Sequence, residues 1–122
     1  MLKEGNVTVM IADMNRSIKF YVEALGLKLK YRHGEDWAEI EAPGVIIGLH
    51  LAGKMGPQPG KSGSLSIGFT VDKLETEMEQ LKKKGVTFSP RLVDEGPVRL
   101  AFFSDPDGNP LYLCEVKEDE HH

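Results

Sequence analysis

The 122-residue sequence predicts an α+β fold in which two βαβββ modules form a curved, mostly antiparallel sheet with helices on the outer face. Two observations predict this fold. Residues 5–27 and 65–86 each show a strand pattern, an acidic turn and a helix pattern that stops at glycine, and they align at an offset of 60. Residues 47–50 and 111–114, the last strand of each half, align at an offset of 64. Self-similarity over nearly the whole chain indicates a duplicated unit.

The first module, residues 5–51, is predicted to contain one strand, one helix and three further strands. Residues 6–11 are rich in β-branched side chains and lead to Asp13, a residue type that caps helices. Gly26 supplies the left-handed stop of a helix whose apolar residues recur at spacings of three and four: Met14, Ile18, Tyr21, Val22 and Leu25. Three short runs then predict strands: 27–32, 36–41 and 45–51.

The second module, residues 64–116, repeats this order after a linker at 52–63 that is rich in glycine and proline and could form a mobile lip. Its predicted elements are a strand at 64–71, a helix at 73–84 and strands at 86–93, 98–104 and 110–116. Turn residues occupy 94–97 and 105–109, and we expect Asp105 and Asp107 of the latter turn to be structural. A polar tail, 117–122, completes a single domain.

Composition and charge exclude several classes of function. The formal net charge of −4 and the pI near 5.5 leave no basic face for phosphates, so nucleic acid is not an expected partner. No stretch approaches the ~20 apolar residues of a membrane span. The lone cysteine, Cys114, lies in an apolar strand pattern and is interpreted as a packing residue in a reducing compartment. We therefore expect a cytoplasmic protein with a small-molecule ligand.

Four segments together resemble the vicinal oxygen chelate superfamily, which contains glyoxalase I, extradiol dioxygenases, fosfomycin-resistance enzymes and bleomycin-resistance proteins. They are the strand-helix opening at 7–14, the run from Ser17 to Leu27, Gly-Phe-Thr-Val-Asp at 68–72 and Phe-Ser-Asp-Pro-Asp-Gly-Asn at 103–109. The resemblance covers about residues 5–116. It implies paired βαβββ modules and, for a chain of this length, a homodimer with two cup-shaped ligand sites.

The same resemblance bears on metal binding. Metal-dependent members take their ligands from four strand positions, which match Asn6, Gly48, Ser66 and Tyr112 here. Zinc, nickel, iron and manganese prefer imidazole, carboxylate or thiolate, and neutral amide, hydroxyl or phenol oxygens bind them poorly. We therefore expect no metal ligand and no cofactor. The glutamate base of the glyoxalase I route is also missing, because Gly48 or Tyr112 occupies its position.

His50 is a further candidate for the site. It follows Gly48 by two residues, so both side chains lie on the same face of a strand. The imidazole could contact a ligand, act as an acid or base near neutral pH, hold a metal ion, or only form a structural hydrogen bond. If the protein is an enzyme, His50 and Tyr112 are its candidate catalytic residues.

Trp37 and Tyr112 are candidate walls of the ligand site, although Trp37 fits the core equally well. Arg99 interrupts an apolar run; it is either a solvated outer residue or a guanidinium aimed at an anionic ligand or at a carboxylate such as Glu39. The predicted ligand-binding residues are Asn6, Trp37, Gly48, His50, Ser66, Arg99 and Tyr112.

The resulting hypothesis is a metal-free binding protein of the bleomycin-resistance type, which sequesters a small aromatic or cationic compound in the concave cleft of a homodimer. The alternative is a glyoxalase-like lyase or isomerase, or a dioxygenase-type enzyme, that uses His50 and Tyr112 or a rearranged metal site. A regulatory module with a vestigial pocket is a third interpretation. Because one fold can carry all three functions, only the geometry and chemistry of the site residues can distinguish them.

Overall fold

The chain folds as two compact units in a computed structural model that describes residues 1–3, 5–61, 65–95 and 97–116. One unit holds the described residues of Met1–Gly63 together with Asp105–Asn109. The other holds the described residues of Ser64–Ser104 and Pro110–His122. Each unit contains one βαβββ module with a four-stranded mixed sheet, so the predicted α+β class is confirmed.

The first unit contains four strands and one helical segment. They are β1 (Val7–Ile11), α1 (Met14–Lys19) with a π-helical continuation (Phe20–Ala24), β2 (Lys28–His33), β3 (Trp37–Ala42) and β4 (Val45–Leu51). The strand order is β1-β4-β3-β2. Strands β1 and β4 are parallel, and the other two pairs are antiparallel. The helical segment connects β1 to β2, which run in the same direction, and packs on one face of the sheet.

The helical segment begins and ends where the sequence predicts. The Asp13 carboxylate accepts a hydrogen bond from the Arg16 backbone N–H at 3.0 Å, which confirms it as the N-cap. Gly26 has a φ of +75°, the left-handed conformation that glycine adopts readily. The periodicity did not predict the π-helical turn, in which the Leu25 N–H donates to the Phe20 carbonyl at 3.1 Å. Tyr21 lies in this turn and is fully buried.

The second unit repeats the first. Its elements are β5 (Ile67–Val71), α2 (Leu74–Lys83), β6 (Leu92–Glu95), β7 (Val98–Ser104) and β8 (Pro110–Val116), in the strand order β5-β8-β7-β6. In the parallel pairs, Ile67 lies opposite Leu111 as Val7 lies opposite Ile47. These partners are offset by the 60 and 64 residues of the sequence repeat, so the predicted duplication is confirmed.

The bounds of one predicted strand, 86–93, are wrong. Residues 86–91 form no strand, and β6 begins only at Leu92. Pro90 lacks the N–H that a sheet ladder needs, and before it the Ser89 N–H makes a single bond to the Phe102 carbonyl at 2.7 Å. At its other end, strand β6 extends through Glu95 into the predicted turn at 94–97. Gly96 of that turn, residues 62–64 and the predicted tail at 117–122 lie outside the described residues.

Each sheet is apolar on the face that its own helix covers. In the first unit this face buries Ile11, Ala38, Ile40, Ile47 and Leu49; in the second it buries Ile67, Ala101, Phe103, Leu111 and Leu113. Because side chains alternate along a strand, the residues between them point to the opposite side of the sheet. We call this opposite side the helix-free face.

The turn at 105–109 belongs to the first unit although it joins β7 to β8. Asp105 is only 4% exposed, and its carboxylate organises this turn. One oxygen accepts the backbone N–H groups of Asp107 and Asn109, both at 2.9 Å. The other accepts the Tyr21 hydroxyl and the Asn109 side-chain amide, both at 2.8 Å. A buried carboxylate is tolerated here because its acceptor positions are filled.

Asp107 fastens the turn to the start of α1. Its carboxylate accepts the Ala12 backbone N–H at 3.2 Å and the Arg16 guanidinium at 2.8 Å through one oxygen. The second oxygen accepts the Ser17 hydroxyl at 3.3 Å. The structural role predicted for Asp105 and Asp107 is therefore confirmed.

Asn109 fastens the same turn to two other segments. Its side-chain amide donates to the Met10 carbonyl at 3.0 Å, and its side-chain oxygen accepts the Gly60 N–H at 3.1 Å. Gly60 has a φ of +68°, and a Cβ there would lie 2.7 Å from the Asp107 carbonyl oxygen. The described part of the linker, 52–61, contains no helix or strand and is held to the turn at this glycine.

We expect Tyr21→Phe to lower the free energy of unfolding by about 1.5–3 kcal/mol, because a hydrogen bond to a carboxylate is lost inside the core. Burial, followed by the charge of Asp105, raises the pKa of Tyr21. The wild type should therefore lose stability as pH rises above the unfolded-state value of about 10, since only the unfolded tyrosine ionises readily there. The variant should lack this component of the pH dependence.

Urea unfolding at pH 7 and between pH 9 and 11 checks this expectation. Tyr31→Phe is the matched control, because Tyr31 is 52% exposed and removal of its hydroxyl leaves the core intact. Equal stabilities of the two variants at pH 7 would contradict the assigned role of the Tyr21 hydroxyl.

Candidate functional site

The helix-free face of the first sheet carries two rows of side chains that run across the strands. In the first row, Tyr31, Glu39, Gly48 and Thr8 lie side by side. In the second row, the neighbours are His33, Trp37, His50 and Met10. The structure thus brings three predicted ligand-binding residues, Trp37, Gly48 and His50, together on one face of one unit.

The Trp37 indole lies directly on Gly48. A Cβ built on this glycine would be 2.3 Å from Cη2 of the indole and 3.0 Å from Cζ2 and Cζ3. Only glycine allows the ring to approach the β4 backbone so closely. The indole Nε1–H donates to a carboxylate oxygen of Glu39 at 3.1 Å, which fixes the orientation of the ring. Trp37 therefore belongs to the helix-free face and not to the core under α1.

His50 lies beside the indole. The ring centroids of His50 and Trp37 are 6.1 Å apart, and the planes meet at 72°. Nδ1 of His50 is 2.9 Å from the Leu51 carbonyl oxygen. Because a carbonyl oxygen can only accept, Nδ1 carries the proton in this hydrogen bond, and Nε2 of a neutral ring keeps its lone pair. The exposed imidazole therefore presents an acceptor next to an aromatic surface.

The second unit has its own aromatic helix-free face. The Tyr112 ring lies over Gly68, where a Cβ would be 2.1 Å from Cζ of the phenol. Phe102 is the next residue across the sheet, with its centroid 6.3 Å from that of Tyr112. The Arg91 guanidinium lies over Phe102 at 5.2 Å from the ring centroid, a cation–π contact. Both modules therefore place an aromatic ring on a glycine, but they do so at different positions.

The four positions that match the metal ligands of the vicinal oxygen chelate superfamily do not fit a catalytic metal. Asn6 precedes β1, and its side-chain oxygen already accepts the Thr8 hydroxyl at 3.1 Å. Ser66 precedes β5, Gly48 has no side chain, and Tyr112 offers a phenol. Amide, hydroxyl and phenol oxygens are poor ligands for zinc, nickel, iron and manganese. Within the described ranges, no three histidine, cysteine or acidic side chains are grouped to hold an ion.

Arg99 lies on the helix-covered face of the second sheet. Its guanidinium pairs with the Glu75 carboxylate at the start of α2 and with Glu115 at 3.0 Å, and not with Glu39. The hydrogen bond from Arg99 lowers the pKa of Glu75 and in turn raises the pKa of Arg99. These ion pairs connect α2 to its sheet. The candidate site therefore does not include Arg99, and its predicted contact with a ligand has no support in this geometry.

Sequence reasoning missed two features of the site. The first is Glu39, which appeared only as a possible partner of Arg99 and is in fact the acceptor of the Trp37 indole. The second is the contact between ring and glycine. A glycine inside a strand often marks the close approach of another group, so Gly48 and Gly68 carried a usable signal.

We expect Gly48→Ala to displace the indole and to destabilise the protein by about 1–3 kcal/mol, the usual cost of overpacking. In a Trp37→Ala background the same substitution should cost much less, because the clash is gone. Urea unfolding of the two single variants and the double variant measures this coupling. Gly5→Ala is the control, since a Cβ at Gly5 meets nothing within 4 Å. Additive effects at Gly48 and Trp37 would contradict the contact.

Comparison with known proteins assigns the fold to a family. The profile of the Glyoxalase/Bleomycin resistance protein/Dioxygenase superfamily matches residues 5–113. A crystal structure of a glyoxalase/bleomycin resistance protein/dioxygenase from Alicyclobacillus acidocaldarius superposes with a TM-score of 0.74 at 20% identity, over 96% of this chain and 93% of that one. At this identity the superposition establishes the shared fold only.

Several curated relatives are named as lyases. A probable chloroplastic lactoylglutathione lyase of Arabidopsis thaliana is 31% identical over 121 residues, covering 90% of this chain and 35% of that protein. A lactoylglutathione lyase of Schizosaccharomyces pombe is 28% identical, covering 95% and 48%. A probable lactoylglutathione lyase of Vibrio parahaemolyticus is 30% identical, covering 88% and 86%. The chain thus spans between a third and a half of the first two relatives.

Proposed function

Because the chain belongs to the Glyoxalase/Bleomycin resistance protein/Dioxygenase superfamily, we propose that it binds and sequesters a small organic ligand without a catalytic metal. The proposed site is the helix-free face of the first sheet. The observation that carries this proposal is the Trp37 indole on Gly48, one of the four positions that match metal ligands in metal-dependent members. The indole therefore covers a position that the resemblance assigns to a metal ligand.

The groups at this face suit an aromatic ligand. The indole offers a broad apolar surface, and stacking of aromatic rings contributes about 0.5–1.5 kcal/mol beyond the burial of area. Nε2 of His50 can accept a hydrogen bond from the polar edge of a ligand stacked on the indole. Small-molecule sites commonly combine such apolar walls with a few polar groups that fix orientation.

A second candidate function is a lyase or isomerase of the glyoxalase type. The names of the relatives favour it, and so does the lone pair on Nε2 of His50, which could serve as a base. The donor set at Asn6, Gly48, Ser66 and Tyr112 argues against the metal-dependent form of this chemistry. Under this second function, His50→Ala should abolish turnover while the fold is retained.

Thermal-shift measurements on protein treated with a chelator test the proposal. We expect at least one compound from a panel of aromatic antibiotics and thiol conjugates to raise the melting temperature, because a ligand that binds only the native state stabilises it. Elemental analysis of the dialysed protein should find far less than one equivalent of zinc, nickel, iron or manganese.

Calorimetry with Trp37→Leu should then show at least about tenfold weaker binding of that compound, which corresponds to the loss of ~1.4 kcal/mol of stacking and burial. Met55→Leu, a change at a residue that is 90% exposed, is the control. Two results would contradict the sequestration proposal and favour catalysis. One is a stoichiometric metal that survives dialysis, and the other is formation of lactoylglutathione that depends on His50.

We also propose that the chain forms a homodimer. Strands β2 and β6 are outer strands of their sheets. They carry exposed apolar side chains: Leu29 is 43% exposed, Tyr31 52% and Leu92 47%. Outer strands of this kind are readily covered by a second chain. Light scattering behind a sizing column should give twice 13.5 kDa, and a monomer mass at every concentration would contradict the proposal.

Among the helices that the structure describes, none is long and apolar enough to cross a lipid bilayer. We propose a cytoplasmic location for a separate reason. Cys114 is the single cysteine of the sequence and is a free, partly buried thiol, as is usual in reducing compartments. Fractionation of cells that express the full chain checks this proposal, and recovery from the membrane or the medium would refute it.

A further inference from the structure

Glu39 is a partly buried carboxylate whose charge is not neutralised within the described part of the chain. Among the described residues, it accepts the Trp37 indole N–H at 3.1 Å and forms no ion pair. On the same strand, Glu41 is also on the helix-free face, but it lies opposite Lys28. The residue opposite Glu39 on β2 is Tyr31, which carries no charge. Glu39 is thus the carboxylate of this face whose paired residue on β2 is uncharged, and Lys30, in the adjacent bulge of β2, forms no ion pair with it.

The surroundings of Glu39 favour a positive partner from outside. The indole hydrogen bond occupies one carboxylate oxygen, and the other oxygen remains able to accept. Partial removal of a carboxylate from water is unfavourable unless a counter-charge or further donors compensate it. The face of the neighbouring indole also attracts cations, because its π-electrons are negative there. A cationic ring stacked on Trp37 would meet both attractions at once.

Comparison of the two modules shows that the fold does not require this charge. Gly48 and Tyr112 are equivalent residues, and their partners across the sheet are Glu39 and Phe102. In the second module the equivalent residue is therefore an apolar ring, and the cation Arg91 lies over it. At this position the carboxylate is present in the first module and absent from the second, which is expected of a residue that selects a ligand.

We infer that Glu39 makes the first helix-free face selective for planar organic cations, such as aromatic rings with a quaternary or protonated nitrogen. This inference rests on the proposed binding function and adds the class of ligand to it. Trp37 supplies the stacking surface, Glu39 the counter-charge and His50 a further acceptor at the edge of the site.

Three probes of similar size and different charge test the inference: N-methylquinolinium as the cation, quinoline at pH 8 as the neutral ring and 2-naphthalenesulfonate as the anion. Binding is measured by calorimetry, and the emission of Trp37, the single tryptophan of the chain, reports contact with the indole. We expect the cation to bind at least about tenfold more tightly than quinoline, the effect of one screened charge pair, and the anion to bind more weakly than either.

Glu39→Gln is the decisive variant, because the glutamine side-chain oxygen can still accept the indole N–H while the charge is removed. It should abolish the preference for the cation and leave the affinity for quinoline unchanged. Glu41→Gln is the matched control and should retain the preference. Equal weakening of all three probes by Glu39→Gln would show that Glu39 only positions the indole, and would overturn the inference.

The remaining outcomes separate the inference from the function on which it rests. If quinoline and N-methylquinolinium bind the wild type equally and Trp37→Leu weakens both, charge selection is overturned and the binding function stands. Tighter binding of 2-naphthalenesulfonate than of N-methylquinolinium would likewise overturn charge selection and leave the binding function in place. If no probe binds, or if Trp37→Leu changes nothing, this face is not the ligand site and both proposals fail.

Discussion

The buried carboxylate of Asp105 is the constraint on which the first unit depends. Four donors converge on its two oxygens, two from the backbone of its own turn and two from the side chains of Tyr21 and Asn109. A carboxylate in such a position is stable only while its donors are in place. Through Asp107, this turn binds the backbone just before α1. Through Asn109, it binds the Met10 carbonyl of β1. A loop of five residues thereby fixes α1 against β1 of the first sheet.

The two modules place an aromatic ring on a strand glycine in different ways. Each has a glycine in the middle of a strand and an aromatic ring lying on it, but the glycine is in β4 of the first module and in β5 of the second. In the first module the ring comes from a neighbouring strand, Trp37; in the second it is Tyr112 itself, which is equivalent to Gly48. The duplication therefore preserved the backbone and let the exposed faces diverge, as is usual when one fold carries several functions.

Much of the fold could be predicted from the sequence because local patterns and the duplication agree. Strands β4, β7 and β8 have the predicted bounds, and Asp13 and Gly26 delimit the first helical segment. The prediction failed at 86–91, where the apolar composition resembled a strand but Pro90 removed a donor. The π-helical turn at Phe20–Ala24 was not predictable from spacing, because its apolar stripe is compatible with an α-helix.

The candidate site could be predicted only in part. Alternation along β4 placed Gly48 and His50 on one face, as the structure shows. The orientation of the Trp37 ring depends on a hydrogen bond to Glu39 and on the space above Gly48, and neither is visible in residue type or period. Arg99 was placed correctly beside Ala101 and Phe103, yet its partners Glu75 and Glu115 are distant in sequence and required the tertiary structure.

The position of the 105–109 turn has a consequence for how this protein is made on the ribosome. Strand β4 ends at Leu51, so all strands of the first sheet leave the exit tunnel early. The donors and acceptors that complete the first unit, however, lie at Asp105, Asp107 and Asn109. The first unit therefore cannot complete its hydrogen bonds, and Tyr21 lacks its partner, until residues 105–109 have been translated, so its assembly is coupled in time to the synthesis of the second module.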